Sequence, residues 1–205
     1  MFKLFVTGGL ASGKKTVCRQ LEEHGAVYYD CDRLAKSCYQ DTQVQEEIRE
    51  SFGDDVMRAD GLVDFSALAQ VAFANVEAQR HLNQLIWPRV QLKLGDILLE
   101  DTCEPGTLKA ELVVVEVALL AEAPEFAQLA DQIALVSCER ALQIERAKRR
   151  GMSDQDILNR LALQASDEER LKLADVVFDN NGTKDQLLSQ ADRWYDDFKN
   201  QGRLF

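Results

Sequence analysis

The chain has 205 residues, 46% hydrophobic and 29% charged, with 24 basic against 35 acidic side chains and a net charge of −11. That length and ordinary composition suit one globular α/β domain, able to bury roughly 70–75% of the surface its unfolded chain exposes. A surface so acidic repels nucleic acid, and no segment approaches the ~20 apolar residues that span a bilayer, so small-molecule partners are expected and neither nucleic acid nor membrane is.

The five cysteines, Cys18, Cys31, Cys38, Cys103 and Cys138, form no CxxC pair and no even framework. They read as reduced thiols. Only His24 and His81 could add imidazoles, and neither stands by a cysteine pair, so a zinc site is not expected. The chain opens directly into an apolar run without a signal-peptide pattern, and a cytoplasmic location is expected.

In chain order, Phe2 to Thr7 reads as a buried strand that stops at Gly8-Gly9. Residues 13 to 24 read as a helix stopped by Gly25, and Ala26 to Tyr29 as a second strand ahead of Asp30-Cys31-Asp32. Helical patterns follow from Arg33 to about Glu50 and again from Phe65 to Glu100, with a turn at Asp60-Gly61 and a helix start or kink at Pro88. Cys103-Glu104-Pro105-Gly106 reads as a loop.

Leu112 to Leu120 and Ile133 to Ser137 are apolar runs typical of strands covered on both faces. Helices are expected over 139–150 and 153–165, a last strand over Ala174 to Phe178, and a closing helix to about Phe198. Strands alternating with helices imply a parallel sheet with helices on both sides.

Between the first strand and first helix, Gly8-Gly9-Leu10-Ala11-Ser12-Gly13-Lys14 has the GxxxxGK spacing of a phosphate-binding P-loop. Glycines let successive N–H groups turn inward around phosphates, the helix N-terminus adds its dipole, and the lysine reaches the β- and γ-phosphates. The next position normally carries the Ser or Thr that ligates Mg²⁺. Here it is Lys15, with Thr16 about 100° further round the helix. An ammonium cannot ligate a cation, so ATP is the expected ligand while dependence on Mg²⁺ stays open. Lys15 can turn aside or pair with phosphate oxygens itself, and the second is the expectation.

The chain resembles the dephospho-coenzyme A kinase family along nearly its whole length. The residues carrying the likeness are the loop Gly8 to Thr16, Asp30-Cys31-Asp32-Arg33-Leu34-Ala35-Lys36, Phe52-Gly53, Asp60-Gly61, Val71-Ala72-Phe73 and Leu82-Asn83 ahead of Pro88. They continue with Leu119-Leu120-Ala121-Glu122, then Gln143, Arg146, Arg150 and Gln164, and finally Ala174-Asp175 and Asn180-Asn181-Gly182.

The resemblance implies a P-loop kinase fold with a parallel five-stranded sheet, a helical acceptor-binding insertion and a helical lid. As one domain, the core would take residues 1–58, 109–139 and 171–205, the insertion about 59–108 and the lid about 140–170. It also implies transfer of the γ-phosphoryl group of ATP to the ribose 3′-hydroxyl of dephospho-coenzyme A. The chain departs from the family at Lys15, Phe65, Trp87, Ala118 and Arg170. Phe65, Trp87 and Ala118 fall where the family handles its acceptor, which leaves open a different nucleotide-like acceptor. Lys15 leaves open a nucleotide-binding protein without catalysis.

Four residues are assigned to chemistry. Asp32, placed just past a strand end, is the candidate base for the acceptor hydroxyl, the competing reading being a helix cap. Lys14 would meet the phosphates. Arg146 and Arg150, four apart on one helix face, would close on the transferring phosphoryl group, while Lys148 and Arg149 read as solvated pairs of Glu139 and Glu145. The binding set is Gly8, Gly9, Leu10, Ala11, Ser12, Gly13, Lys14, Lys15 and Thr16. Glu116, inside a strand, needs a partner, either as a structural hydrogen bond or as support for a metal. Phe65 and Trp87 read as packing.

Overall fold

A computed structural model describes residues 1–72, 74–103 and 110–201. Phe73 and the 104–106 part of the expected loop lie outside the described residues, whereas Cys103 closes a helix.

The apolar runs form five strands: β1 (Phe2–Thr7), β2 (Val27–Asp30), β3 (Leu112–Glu116), β4 (Gln132–Ser137) and β5 (Val176–Asp179). All pair in parallel, in the order β2-β3-β1-β4-β5, as the alternation of strands and helices predicts. Leu4 to Val6 in β1 and Leu112 to Val115 in β3 are buried, which is why these strands read as continuous apolar runs rather than alternating ones.

Strand edges differ from expectation in four strands: β4 begins one residue earlier, at Gln132, and β5 runs from Val176 to Asp179 rather than from Ala174 to Phe178. The second strand starts and ends one residue later, so Asp30 belongs to it. The third stops at Glu116 rather than Leu120. Its neighbour β1 ends at Thr7, and after Val117 N–H donates to Val6 O (2.9 Å) no ladder partner is left.

The helices are α1 (Lys14–Glu23), α2 (Cys31–Cys38), α3 (Thr42–Phe52), α4 (Phe65–Ala72), α5 (Val76–Cys103), α6 (Arg140–Arg149), α7 (Asp154–Leu163), α8 (Asp167–Leu173) and α9 (Lys184–Gln201). The helical patterns expected from Arg33 to about Glu50 are two helices, α2 and α3. Asp41 divides them, accepting from Gln43 N–H at 2.8 Å as the cap of α3. Asn75 likewise accepts from Ala78 N–H (2.8 Å), which restarts the chain as α5. Pro88 does not begin a helix but sits inside α5, and there Arg89 Nη1 donates to the Leu85 carbonyl (2.6 Å) in the disturbed turn.

The chain divides into two compact units, Met1–Asp30 with Asp101–Phe205, and Cys31–Glu100. In the first, α1 and α9 cover one face of the sheet, burying Leu4, Val17, Leu21, Val114, Phe178 and Leu187. Phe2, Trp194 and Phe198 close its rim, the last two stacked at 5.7 Å. The second unit buries Ile48, Val56, Leu68 and Ile86, and Arg89 joins α5 to Glu47 of α3 at 2.7 Å. Its Asp60-Gly61 turn is present, with Gly61 at φ 81° and Met57 bridged to Val63. Among the described residues no helix is long and apolar enough to cross a membrane.

The strand order places the ligand crevice. From β1 the chain crosses to β2 on one side, and from β4 it crosses to β5 on the other, so the connections diverge at the β1–β4 pair. Parallel sheets bind ligands at such a divergence, beyond the strands' C-terminal ends. Fully buried Leu21 joins α1 to the sheet. Leu21→Ala should lower stability by about 2–5 kcal/mol in urea unfolding, the usual range for a leucine truncated in a packed core.

Candidate active site

The segment Gly8–Gly13 leaves β1 at the divergence point and feeds α1. Two of its glycines are required. Gly8 has φ 154°, and a Cβ there would meet the Val136 carbonyl oxygen at 2.6 Å. Gly13 has φ 106°, and a Cβ would meet Asn180 Nδ2 at 2.3 Å. Ala11 adopts φ 52° without being glycine. Left-handed strain of about 1–2 kcal/mol is set against about 0.8 kcal/mol for its buried methyl group, which packs with Ala147, Ile157 and Leu161. A glycine would also free the unfolded chain further, by about 0.4–1 kcal/mol. These terms nearly cancel, so Ala11→Gly should move the unfolding free energy by less than about 1 kcal/mol in a denaturant titration.

Two side-chain amides from distant parts of the first unit bond the loop, and a third stands against it. Gln164 Oε1 accepts from Leu10 N–H at 3.0 Å, and Asn180 Nδ2 donates to the Ser12 carbonyl at 2.6 Å. Gln143 is held by the Cys138 carbonyl (2.7 Å), and its amide lies 2.9 Å from where a Gly9 Cβ would stand. In sequence these residues were matches to a family pattern without a task. Their task is to shape the loop.

Lys14 is 9% exposed and donates from Nζ to the carbonyls of Gly8 and Gly9, both at 3.0 Å. Thr16 N–H donates to Gly13 O (2.9 Å), opening α1 at the loop's end. Lys15 is exposed, and its ammonium lies 3.7 Å from Asp30 Oδ2, at the end of β2. Asp30 pairs in register with Glu116 of β3. Glu116 has the partner it needs in Tyr28, whose hydroxyl donates to Oε2 at 2.5 Å. Burial first, then this hydrogen bond, pushes the Tyr28 phenol well up, so it remains a proton donor.

Arg146 is fixed to the sheet's C-terminal edge. Its Nη1 donates to Cys138 Sγ (3.2 Å) and its Nη2 to the Asn180 carbonyl (3.0 Å), linking it through Asn180 to Ser12 of the loop. Arg150 ends α6 and is exposed. Arg149 pairs with Glu145 (2.5 Å) as expected of a solvated face, while Lys148 pairs with Asp154 (2.7 Å). Arg170 is buried between Asp167 (3.1 Å) and Glu122 (4.0 Å). Cys18 and Cys138 are buried free thiols, and burial pushes both up, which makes them unreactive.

In the second unit, Asp32 occupies the first turn of α2, inside the helix rather than at its cap position, and is exposed. The same unit holds a cavity of about 390 Å³ lined by Arg33, Lys36, Tyr39, Arg58, Leu62 and Phe65 among others. Phe65 is half exposed and meets Tyr39 edge-on at 5.2 Å, so it lines a cavity as well as packing.

A family profile described as dephospho-CoA kinase matches residues 3–186. The chain belongs to the dephospho-CoA kinase family. A dephospho-CoA kinase of Streptomyces avermitilis is 35% identical over 199 residues, covering 96% of this chain and 94% of that one. A solved structure from Thermus thermophilus superposes with a TM-score of 0.77 at 28% identity, covering 95% of both chains. The dephospho-CoA kinase of Campylobacter jejuni shares the fold with a TM-score of 0.68 at 21% identity, covering 98% of each chain.

One member of the P-loop machinery does not fit. The hydroxyl that would ligate a phosphate-bound divalent ion is replaced by the Lys15 ammonium, and the nearby Asp30 carboxylate is already paired with it. Among the described residues no three His, Cys, Asp or Glu side chains gather to hold an ion.

The buried Asn180 bond tests the cradle. Asn180→Ala strands the Ser12 carbonyl and should cost about 1–3 kcal/mol in thermal or urea unfolding. The same variant should bind ATP more weakly by calorimetry, because the loop loses its preformed shape.

Proposed function

We propose that this chain transfers the γ-phosphoryl group of ATP to the ribose 3′-hydroxyl of dephospho-coenzyme A, the closing step of coenzyme A biosynthesis, in the cytoplasm. The observation that carries the proposal is a phosphate loop already held in shape, in a chain whose family membership extends over residues 3–186.

The reaction breaks the bond between the γ-phosphorus and the β–γ bridging oxygen, forms a bond from the ribose 3′-oxygen to that phosphorus, and releases ADP. Such transfer depends on alignment and charge stabilisation more than on covalent help from the protein. The amides of Gly8 to Thr16 surround the phosphates. Lys14 exchanges its bonds to the Gly8 and Gly9 carbonyls for phosphate oxygens. Asp32 takes the proton of the 3′-hydroxyl. Arg146 and Arg150, on a lid of about residues 140–170, stabilise the transferring group.

The acceptor belongs to the helical insertion of about residues 59–108, joined by α2 and Arg58 ahead of it. The Arg33, Lys36 and Arg58 side chains of the cavity suit its phosphates, and the Tyr39–Phe65 pair suits a base or an apolar chain.

Incubation with ATP, Mg²⁺ and dephospho-coenzyme A should yield coenzyme A by chromatography. ADP release that requires a different acceptor would overturn the acceptor assignment. Asp32→Asn should lower kcat by roughly 10²–10⁴ with little change in ATP affinity. Normal turnover in that variant removes Asp32 as the base.

A further inference from the structure

The mismatch at Lys15 has a physical resolution. Lys15 follows Lys14 directly in the first turn of α1, where the helix N-terminus already carries partial positive charge. A divalent ion placed there would meet two ammonium groups and that dipole. The phosphates of a nucleoside triphosphate would meet the same charges with the favourable sign.

The ammonium of Lys15 is held near the site without being locked. Its side chain is 61% exposed against 15% for Asp30, and 3.7 Å is beyond good hydrogen-bond range. Exposed pairs of this quality contribute little, so a polyanion arriving at the loop competes successfully for the cation. Asp30 keeps a fixed place at the end of β2, next to Glu116 across the β2–β3 ladder, and holds the lysine close to the loop between ligands.

We propose that Lys15 is a tethered counter-cation that moves from Asp30 to the β- and γ-phosphate oxygens, so that this chain binds a nucleoside triphosphate without a divalent metal. The inference rests on the nucleotide-binding part of the proposed function and is independent of the acceptor.

Calorimetric titration of ATP into the wild type and Lys15→Ser, each in excess EDTA and in excess Mg²⁺, tests it. The wild-type dissociation constant should differ by less than about threefold between the two conditions, and that of Lys15→Ser should rise about tenfold or more in EDTA. A wild type that loses as much affinity in EDTA as the serine variant overturns the proposal. Lys15→Gln, which keeps the chain length without the charge, serves as a second comparison should the serine variant melt early. Binding in EDTA without coenzyme A formation under the assay above would sink the proposed reaction and leave the counter-cation standing. The reverse pattern, coenzyme A formation with Mg²⁺-dependent binding, would sink the counter-cation alone. Absence of ATP binding under both conditions overturns both.

Discussion

A phosphate loop must stay concave although its amides repel one another and its ligand comes and goes. Here the Lys14 ammonium meets that constraint from within, by bonding the carbonyls of Gly8 and Gly9. Gln164 and Asn180 meet it from outside by bonds to Leu10 and Ser12, and Gln143 stands against Gly9. The position of each depends on the parallel sheet. Gln143 follows β4, Asn180 follows β5, and both strands end at the same edge as β1. The sheet therefore does more than present a loop at a crevice. It sets the loop's curvature.

Charge is distributed to the same end. An acidic chain would repel nucleotides if its cations were scattered. In the first unit Lys14, Lys15 and Arg146 are tied to the loop, to the end of β2, or to the loop's buttress. In the second, Arg33, Lys36 and Arg58 line one cavity.

The sheet was legible because its strands are apolar on both faces, and the loop because its glycine spacing is stereochemically necessary. Strand ends were less legible. β3 continues in hydrophobicity through Leu120 but lacks a neighbour after Val117, a fact that belongs to β1 and not to β3. Helix breaks were local and could have been found. Asp41 and Asn75 are ordinary start signals inside or beside stretches read as helical, and the Ser166–Glu169 capping box opens α8 just past residue 165, where the expected helix ended. The amide buttresses could not be derived from spacing, since Asn180 and Ser12 stand 168 residues apart. Lys15 was legible as an anomaly, but its pairing with Asp30 needed the fold.

That same separation bears on how the chain acquires its shape. β1 is made before the other four strands of its sheet, yet its neighbours there are β3 and β4, and the loop after it is closed by Asn180. At roughly 5–20 residues per second, a ribosome would need about 8–34 s between making Ser12 and making Asn180. The sheet partners of β1 come earlier, β3 from Leu112 and β4 from Gln132, but until Leu112 is made the β1 segment has no strand to pair with, and the loop waits for Asn180 through the whole interval. Until Leu112 appears, the nascent β1 segment is a hydrophobic strand with free edges, a natural substrate for chaperones. Nucleotide binding cannot assist folding early, because the cradle that would gain from it is among the last features to close.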